Sequence, residues 1–164
     1  MNRRAQRHPG VRSHSCGAFA ASLATVTGLL AAPAARADCF DDAVVFHKVN
    51  PWILRAIAAR ESNFNPMAIA HNSNNTYDIG LFGTNSVHLP ELARYGITKL
   101  DLLDGCKSVY VAGWRLSKMV RKYGNTWKAV GAYNSETPSY RDRYASAIQT
   151  IVNFWIEQDV LSRQ

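Results

Sequence analysis

Asn50-Pro51-Trp52-Ile53-Leu54-Arg55-Ala56-Ile57-Ala58-Ala59-Arg60-Glu61-Ser62-Asn63-Phe64-Asn65-Pro66 is the stretch on which the fold turns. Asn50-Pro51 predicts a helix start, with Asn as the cap and Pro at the first helical position. At about 100° per residue, the helix predicted over 51–62 puts Ile53, Leu54, Ile57 and Ala58 on one side. Glu61 falls in the middle of that side, and Arg55 and Arg60 flank it. A carboxylate on an apolar stripe must be neutral, paired or functional, because an unpaired buried charge is costly. Desolvation raises its pKa, as a general acid working near neutrality requires. The bland alternative is a helix-end glutamate that swings to solvent or pairs with an arginine.

Outward from Glu61 the pattern changes at once. Residues 65–85 hold five Asn, two Thr and two Gly, which predicts a loop or small hairpin. A carboxylate at a helix end facing such a loop is placed on a cleft wall. Asp78 follows within Tyr77-Asp78-Ile79-Gly80-Leu81. A glycosidase of the common kind sets two carboxyl groups across the scissile bond, one protonated in an apolar setting and one ionised in a polar one. Glu61 and Asp78 have those two settings by sequence. Asp78 alone also reads as an ordinary turn residue.

The remaining pattern is helical. Short helices are predicted over 41–49 and 89–95, and a long one over 105–123 with Val109, Ala112, Leu116 and Val120 on one face and Gly124 as its stop. Thr126 caps another over 127–133, and a last helix runs over about 139–161. The Tyr144, Ile148, Ile151, Trp155 stripe of that helix reads as core, as do Trp52, Trp114, Trp127 and Trp155. Tyr77 and Tyr95 flank the cleft as sugar-stacking candidates. Arg115, Lys118, Arg121 and Lys122 read as a solvated helix face.

The chain has 164 residues and a formal charge of +7. Residues 1–37 hold five Arg and no acid, then a short Ala/Thr/Gly-rich apolar run closed by Ala35-Arg36-Ala37. That is the pattern of a secretory signal peptide cleaved before Asp38, with a membrane anchor as the alternative. Residues 38–164 then form one mostly α (α+β) domain with a charge of +2, which leaves no basic surplus for nucleic acid. Cys39 and Cys106 are its two cysteines, and an exported chain with two invites one disulfide, worth up to about 4 kcal/mol by loop closure. Two free thiols are the alternative. His47, His71 and His88 have no metal-ligand spacing.

Three segments carry a resemblance over nearly the whole of 38–164. Glu61-Ser62-Asn63-Phe64-Asn65-Pro66-Met67-Ala68 resembles the E-S-x-F-x-P-x-A motif of soluble lytic transglycosylases. Gly80-Leu81-Phe82-Gly83-Thr84-Asn85 occupies the place of their G-L-M-Q-I-N motif, and Ala132-Tyr133-Asn134-Ser135 that of A-Y-N-A-G. The stretch Tyr77-Asp78-Ile79-Gly80 and the two cysteines look most like the subgroup that accompanies type III secretion systems, the invasion-protein IagB type. Glu61 to Asn65 also matches the catalytic segment of animal C-type lysozymes, which place a second carboxylate near the position of Asp78.

The resemblance implies a lysozyme-like single domain with a small hairpin region at its cleft. It implies an exported, periplasmic and monomeric enzyme that needs no cofactor and acts on peptidoglycan glycan strands, with components of a secretion apparatus as partners. Glu61 would protonate the bond between N-acetylmuramic acid and N-acetylglucosamine. As a base it would then draw the proton from the sugar's own 6-hydroxyl, leaving a 1,6-anhydro product. Asp78 would stabilise positive charge and Tyr133 would stand by Glu61. Ser62, Tyr77, Gly80, Leu81, Phe82, Asn85 and Asn134 would shape the substrate site. Lysozyme-type hydrolysis with Asp78 is one alternative, and a weakly active or non-catalytic wall-binding accessory protein is another. The sequence departs from the family at Phe82-Gly83, where a Gln side chain is lost, and at Ser135-Glu136, where a carboxylate is gained.

Overall fold

The computed structural model describes residues 39–162. The signal-peptide reading and its cleavage point lie outside the described residues. Two helices build the front of the domain: α1 (Cys39–His47) and α2 (Pro51–Ser62). α2 starts as predicted, since Asn50 Oδ1 accepts from the backbone N–H of Trp52 at 2.9 Å and of Ile53 at 3.2 Å. It buries Leu54, Ala56, Ile57 and Ala58. It ends where Asn63 and Phe64 both take left-handed backbone, φ 52° and 61°, so that their N–H groups turn back to the carbonyls of Ala59 and Ala58. This turn stops the chain one step after Glu61.

The polar stretch folds into a three-stranded antiparallel sheet, β1 (Ile69–His71), β2 (Tyr77–Ile79) and β3 (Thr84–Asn85). Asp78 pairs with Ala70 on one side and Asn85 on the other. Side chains alternate along β2. Tyr77 and Ile79 therefore turn to a small core with Leu92, Leu102 and Val111, while Asp78 turns to the opposite face. At Gly80, φ 71°, a Cβ would stand 1.9 Å from the Leu102 carbonyl oxygen, so only glycine lets the sheet close on the helix beneath it.

A turn of 3-10 helix (Ser86–His88) leads into α3 (Leu89–Ala93) and then α4 (Lys99–Leu103). α4 is absent from the expectations above. Its signal is a capping box in which Thr98 Oγ1 accepts from the Asp101 N–H at 3.4 Å and Asp101 Oδ2 accepts from the Thr98 N–H at 2.8 Å. α5 (Gly105–Tyr123) buries the predicted Val109, Ala112 and Leu116. α6 (Trp127–Asn134) packs on α7 (Pro138–Ser162), which opens at Pro138. Cys39 and Cys106 are joined, which fastens α1 to α5 across 67 residues with a Cα–Cα distance of 5.3 Å. The main core unites α2, α5, α6 and α7 through Leu54, Ile57, Leu116, Val130, Tyr133, Tyr144 and Ile148, with Phe82 from the sheet region. The described residues make a mostly helical α+β domain with a small antiparallel sheet, as expected. Trp52 and Trp127 depart from the core reading, for both are partly open to solvent.

Candidate active site

The end of α2, the outer face of β2 and the end of α6 converge on a cleft. One cavity of about 400 Å³ is lined by Glu61, Asp78, Phe82, Gly83, Asn85, Arg115, Tyr133 and Asn134 among others. A second, of about 550 Å³, shares Glu61 and Asn134 with it. Glu61 thus stands where the two meet. Its carboxyl is reached by solvent through the cleft while protein crowds it on its other sides, and poor solvation of the charge raises its pKa. The charge of Asp78 adds to that rise. A hydrogen bond from Tyr144 and the positive charges of Arg60 and Arg115 oppose it.

Tyr144 is the group that sequence reasoning missed. Its hydroxyl donates to Glu61 Oε1 at 2.5 Å. It sits at the head of the predicted stripe and is buried as expected of core, but its oxygen emerges at the carboxylate. The available signal was a tyrosine, rather than an aliphatic residue, at the end of an apolar stripe: a buried hydroxyl needs a partner.

Tyr133, the tyrosine expected beside Glu61, lines the cleft at only 5% exposure, and its hydroxyl has no hydrogen-bond partner among the described residues. Burial, with a contribution from the Glu61 charge, pushes its pKa up to about 12, so it stays a neutral donor. Arg115 fixes this tyrosine. Its guanidinium lies 4.6 Å from the ring centroid, and Nη2 donates to the Tyr133 carbonyl at 3.3 Å. The same nitrogen is 3.2 Å from His88 Nε2, which acts as acceptor because Arg can only donate. Arg115 therefore leaves the solvated face read from the sequence and joins the cleft. Lys118 pairs with Glu91 at the rim.

Asp78 is held by two amides: Asn85 Nδ2 donates to Oδ1 at 2.7 Å and Asn72 Nδ2 to Oδ2 at 3.2 Å. Asn85 and Asp78 face each other across the β2–β3 pair, so the strand register itself builds this contact. Ser62 does not line the cleft. Its Oγ donates to the Leu81 carbonyl at 2.8 Å and accepts from the Asn65 N–H at 3.1 Å, tying the Glu61 turn to the sheet.

The structure therefore brings Glu61, Asp78, Phe82, Asn85, Tyr133 and Asn134 together. It sets Tyr77, Gly80 and Leu81 behind the cleft wall. Tyr77 packs beneath Lys99, 4.7 Å from its ring centroid, and Leu81 is core. Tyr95 meets Trp114 edge to face with ring centroids 5.5 Å apart, in a separate apolar groove that excludes Glu61.

A sequence model of the transglycosylase SLT domain matches residues 38–147. The chain belongs to the SLT transglycosylase family. It is 41% identical over 128 residues to invasion protein IagB of Salmonella typhimurium strain SL1344, covering 75% of this chain and 80% of that protein. It is 40% identical over 128 residues to the X polypeptide of Escherichia coli, covering 74% and 75% of the two chains. Protein IpgF of Shigella sonnei is 38% identical over 103 residues, 62% of this chain and 68% of that protein. The domain is thus a lytic transglycosylase, an enzyme of peptidoglycan.

The transglycosylase's departures from its family pattern now have a place. Gly83, φ 52°, lies against the Glu61 carboxyl, and a Cβ here would stand 3.1 Å from Glu61 Oε2. The loss of the family side chain therefore opens the wall beside Glu61. Glu136 adds no second acid to the centre, since Lys122 and the Tyr123 hydroxyl, at 2.6 Å, both donate to its Oε2.

Proposed function

We propose that this transglycosylase cuts the bond from N-acetylmuramic acid to N-acetylglucosamine with Glu61 as both acid and base. The single observation that carries the reading is a glutamate at the junction of two cavities, with its pKa raised and the Tyr144 hydroxyl donating to its carboxyl. Glu61, protonated, gives its proton to the glycosidic oxygen as the C1–O bond breaks. Asp78, acceptor of two amides and so held as an acceptor toward the cleft, stabilises the cation-like sugar. The sugar's 6-hydroxyl oxygen bonds to C1 and its proton returns to Glu61, so no water is consumed and the product is the 1,6-anhydro sugar. The unpartnered Tyr133 hydroxyl supplies a neutral donor to the departing oxygen or to the sugar.

The same reading places the enzyme in the periplasm, where its substrate lies and where the Cys39–Cys106 bridge is at home. It opens the wall locally for a secretion apparatus, which the likeness to an invasion protein supports. Purified protein should release soluble fragments from sacculi, and Glu61→Gln should not while keeping its circular dichroism. Cleavage by the variant would remove Glu61 from its role.

A second reading, hydrolysis of the lysozyme type, is favoured by one observation: Asp78 lines the same cavity as Glu61. It requires Asp78 to act on the sugar or on a water, and it yields a reducing end.

A further inference from the structure

The second cavity at Glu61 has a lining that the reaction above does not use. Besides Glu61, Asn134 and Tyr144 it consists of Arg60, Arg143 and Tyr140. Arg60 comes from the end of α2 and Arg143 from the start of α7, so two distant segments bring cations to one space. Each guanidinium lies over a tyrosine ring, Arg60 at 5.1 Å from the Tyr144 centroid and Arg143 at 5.3 Å from that of Tyr140. Such stacking orients a guanidinium while leaving its N–H edge free to donate. Arg141, two residues before Arg143, takes both oxygens of Asp142 through Nε and Nη2, which leaves Arg143 no other acid on its own turn. Neither Arg60 nor Arg143 has a salt bridge among the described residues. Tyr140 is 57% exposed, an apolar wall open to a ligand.

The carboxyl within this lining is Glu61, which is neutral when it serves as acid. The cavity then holds two positive charges without a counter-charge. Glycan strands are neutral sugars apart from the muramyl branch, whose lactyl group or attached peptide stem carries carboxylate. That branch hangs from the sugar whose C1 is cut beside Glu61. We propose that Arg60 and Arg143 form a carboxylate-binding site for the muramyl branch, with Tyr140 as its wall. The inference rests on the wall-cleavage reading for its substrate and on the two arginines for its chemistry. Planar guanidinium groups suit this role because they match a carboxylate with paired donors.

The test is binding in a Glu61→Gln background, which prevents turnover. Three ligands are compared by titration calorimetry: stem-bearing strands, amidase-stripped strands whose lactyl carboxylates are free, and neutral N-acetylglucosamine oligomers. Arg143→Gln and Arg60→Gln should each weaken an anionic strand about tenfold, the scale of a lost charge-assisted contact, with the neutral oligomer within about twofold of its starting affinity. Arg143→Lys should retain most of the binding, and added salt should weaken the anionic strands alone. Loss on stripped strands assigns the lactyl carboxylate, whereas loss confined to stem-bearing strands assigns the stem. Equal loss on all three ligands, or no loss on either anionic strand, overturns the site. Cleavage plays no part in this readout. A chain that discriminates anionic strands through these arginines but cuts none would contradict the proposed reaction and leave the site standing. A chain that cuts sacculi without such discrimination would do the reverse.

Discussion

Tyr144 Oη donates to Glu61 Oε1 at 2.5 Å, joining residues 83 positions apart in the sequence. The contact links α7 to the Glu61 carboxyl and opposes the desolvation that raises its pKa. Tyr144→Phe removes that opposition, so the Glu61 pKa rises further and the alkaline limb of kcat/KM moves to higher pH. Loss of a bond to a charged group, worth about 1.5–3 kcal/mol, should lower kcat ten- to a hundredfold, because the carboxylate formed after proton transfer loses its donor. A pH–rate profile checks both. An unshifted alkaline limb would show that the contact does not tune Glu61.

Tyr133 should behave in the opposite way on stability. Its hydroxyl is buried and unpartnered. Removing such a group does not break a bond, so Tyr133→Phe should be as stable as the parent or about 1 kcal/mol more so, while kcat falls about tenfold. Denaturant unfolding beside sacculus turnover reads the two effects. A destabilised variant would mean that the hydroxyl has a partner in the folded protein.

Glu61 makes stability depend on pH with a definite sign. Its folded pKa lies above its unfolded one, so the folded state binds the proton more tightly. The resulting stabilisation is fully present below the unfolded pKa and is lost as pH rises through the folded pKa. Glu61→Gln cannot ionise. Its melting temperature should match the parent's in acid and exceed it increasingly as pH rises through the folded pKa of Glu61, above which the gap levels off. Thermal melts across pH 3–8, a window set by the ordinary Glu value of about 4.3 and the upward shift, give the difference. A gap that narrows with rising pH would contradict the direction of the shift.

Gly83 tests whether the open wall beside Glu61 matters. Gly83→Ala meets left-handed backbone at φ 52° and places Cβ 3.1 Å from Glu61 Oε2. The backbone term alone costs about 1–2 kcal/mol, and the contact pushes the carboxyl from its place. Melting should fall by several degrees and kcat by more than the unfolded fraction accounts for. Unchanged turnover would show that the wall tolerates a side chain.

Local signals were the legible part of this molecule. Asn50-Pro51 foretold the start of α2, the apolar spacing foretold the buried Leu54, Ile57 and Ala58, and Glu61 stood out because it broke that spacing. Asp78 and Asn85 could be named as site residues from a motif, but their hydrogen bond depends on a strand register that the motif does not state. Tyr144 was hidden because its spacing made it core and only the α2–α7 packing aims its hydroxyl. Arg115 was hidden likewise, since a basic helix face reads as solvated until α6 covers it. Thr98 and Asp101 form the capping box that starts α4, a signal written in the local sequence. Tyr95 was misplaced because closeness in sequence to the cleft segment is not closeness in space.

In the proposed reaction the sugar's own 6-hydroxyl oxygen bonds to C1 while Glu61 takes its proton, and no water is used. Mass spectrometry of fragments released from purified sacculi tests this step. The predicted result is muropeptides ending in 1,6-anhydro-N-acetylmuramic acid, lost together with all release in Glu61→Gln. Fragments ending in reducing N-acetylmuramic acid, heavier by one water, would contradict it and assign hydrolysis to Glu61 with Asp78.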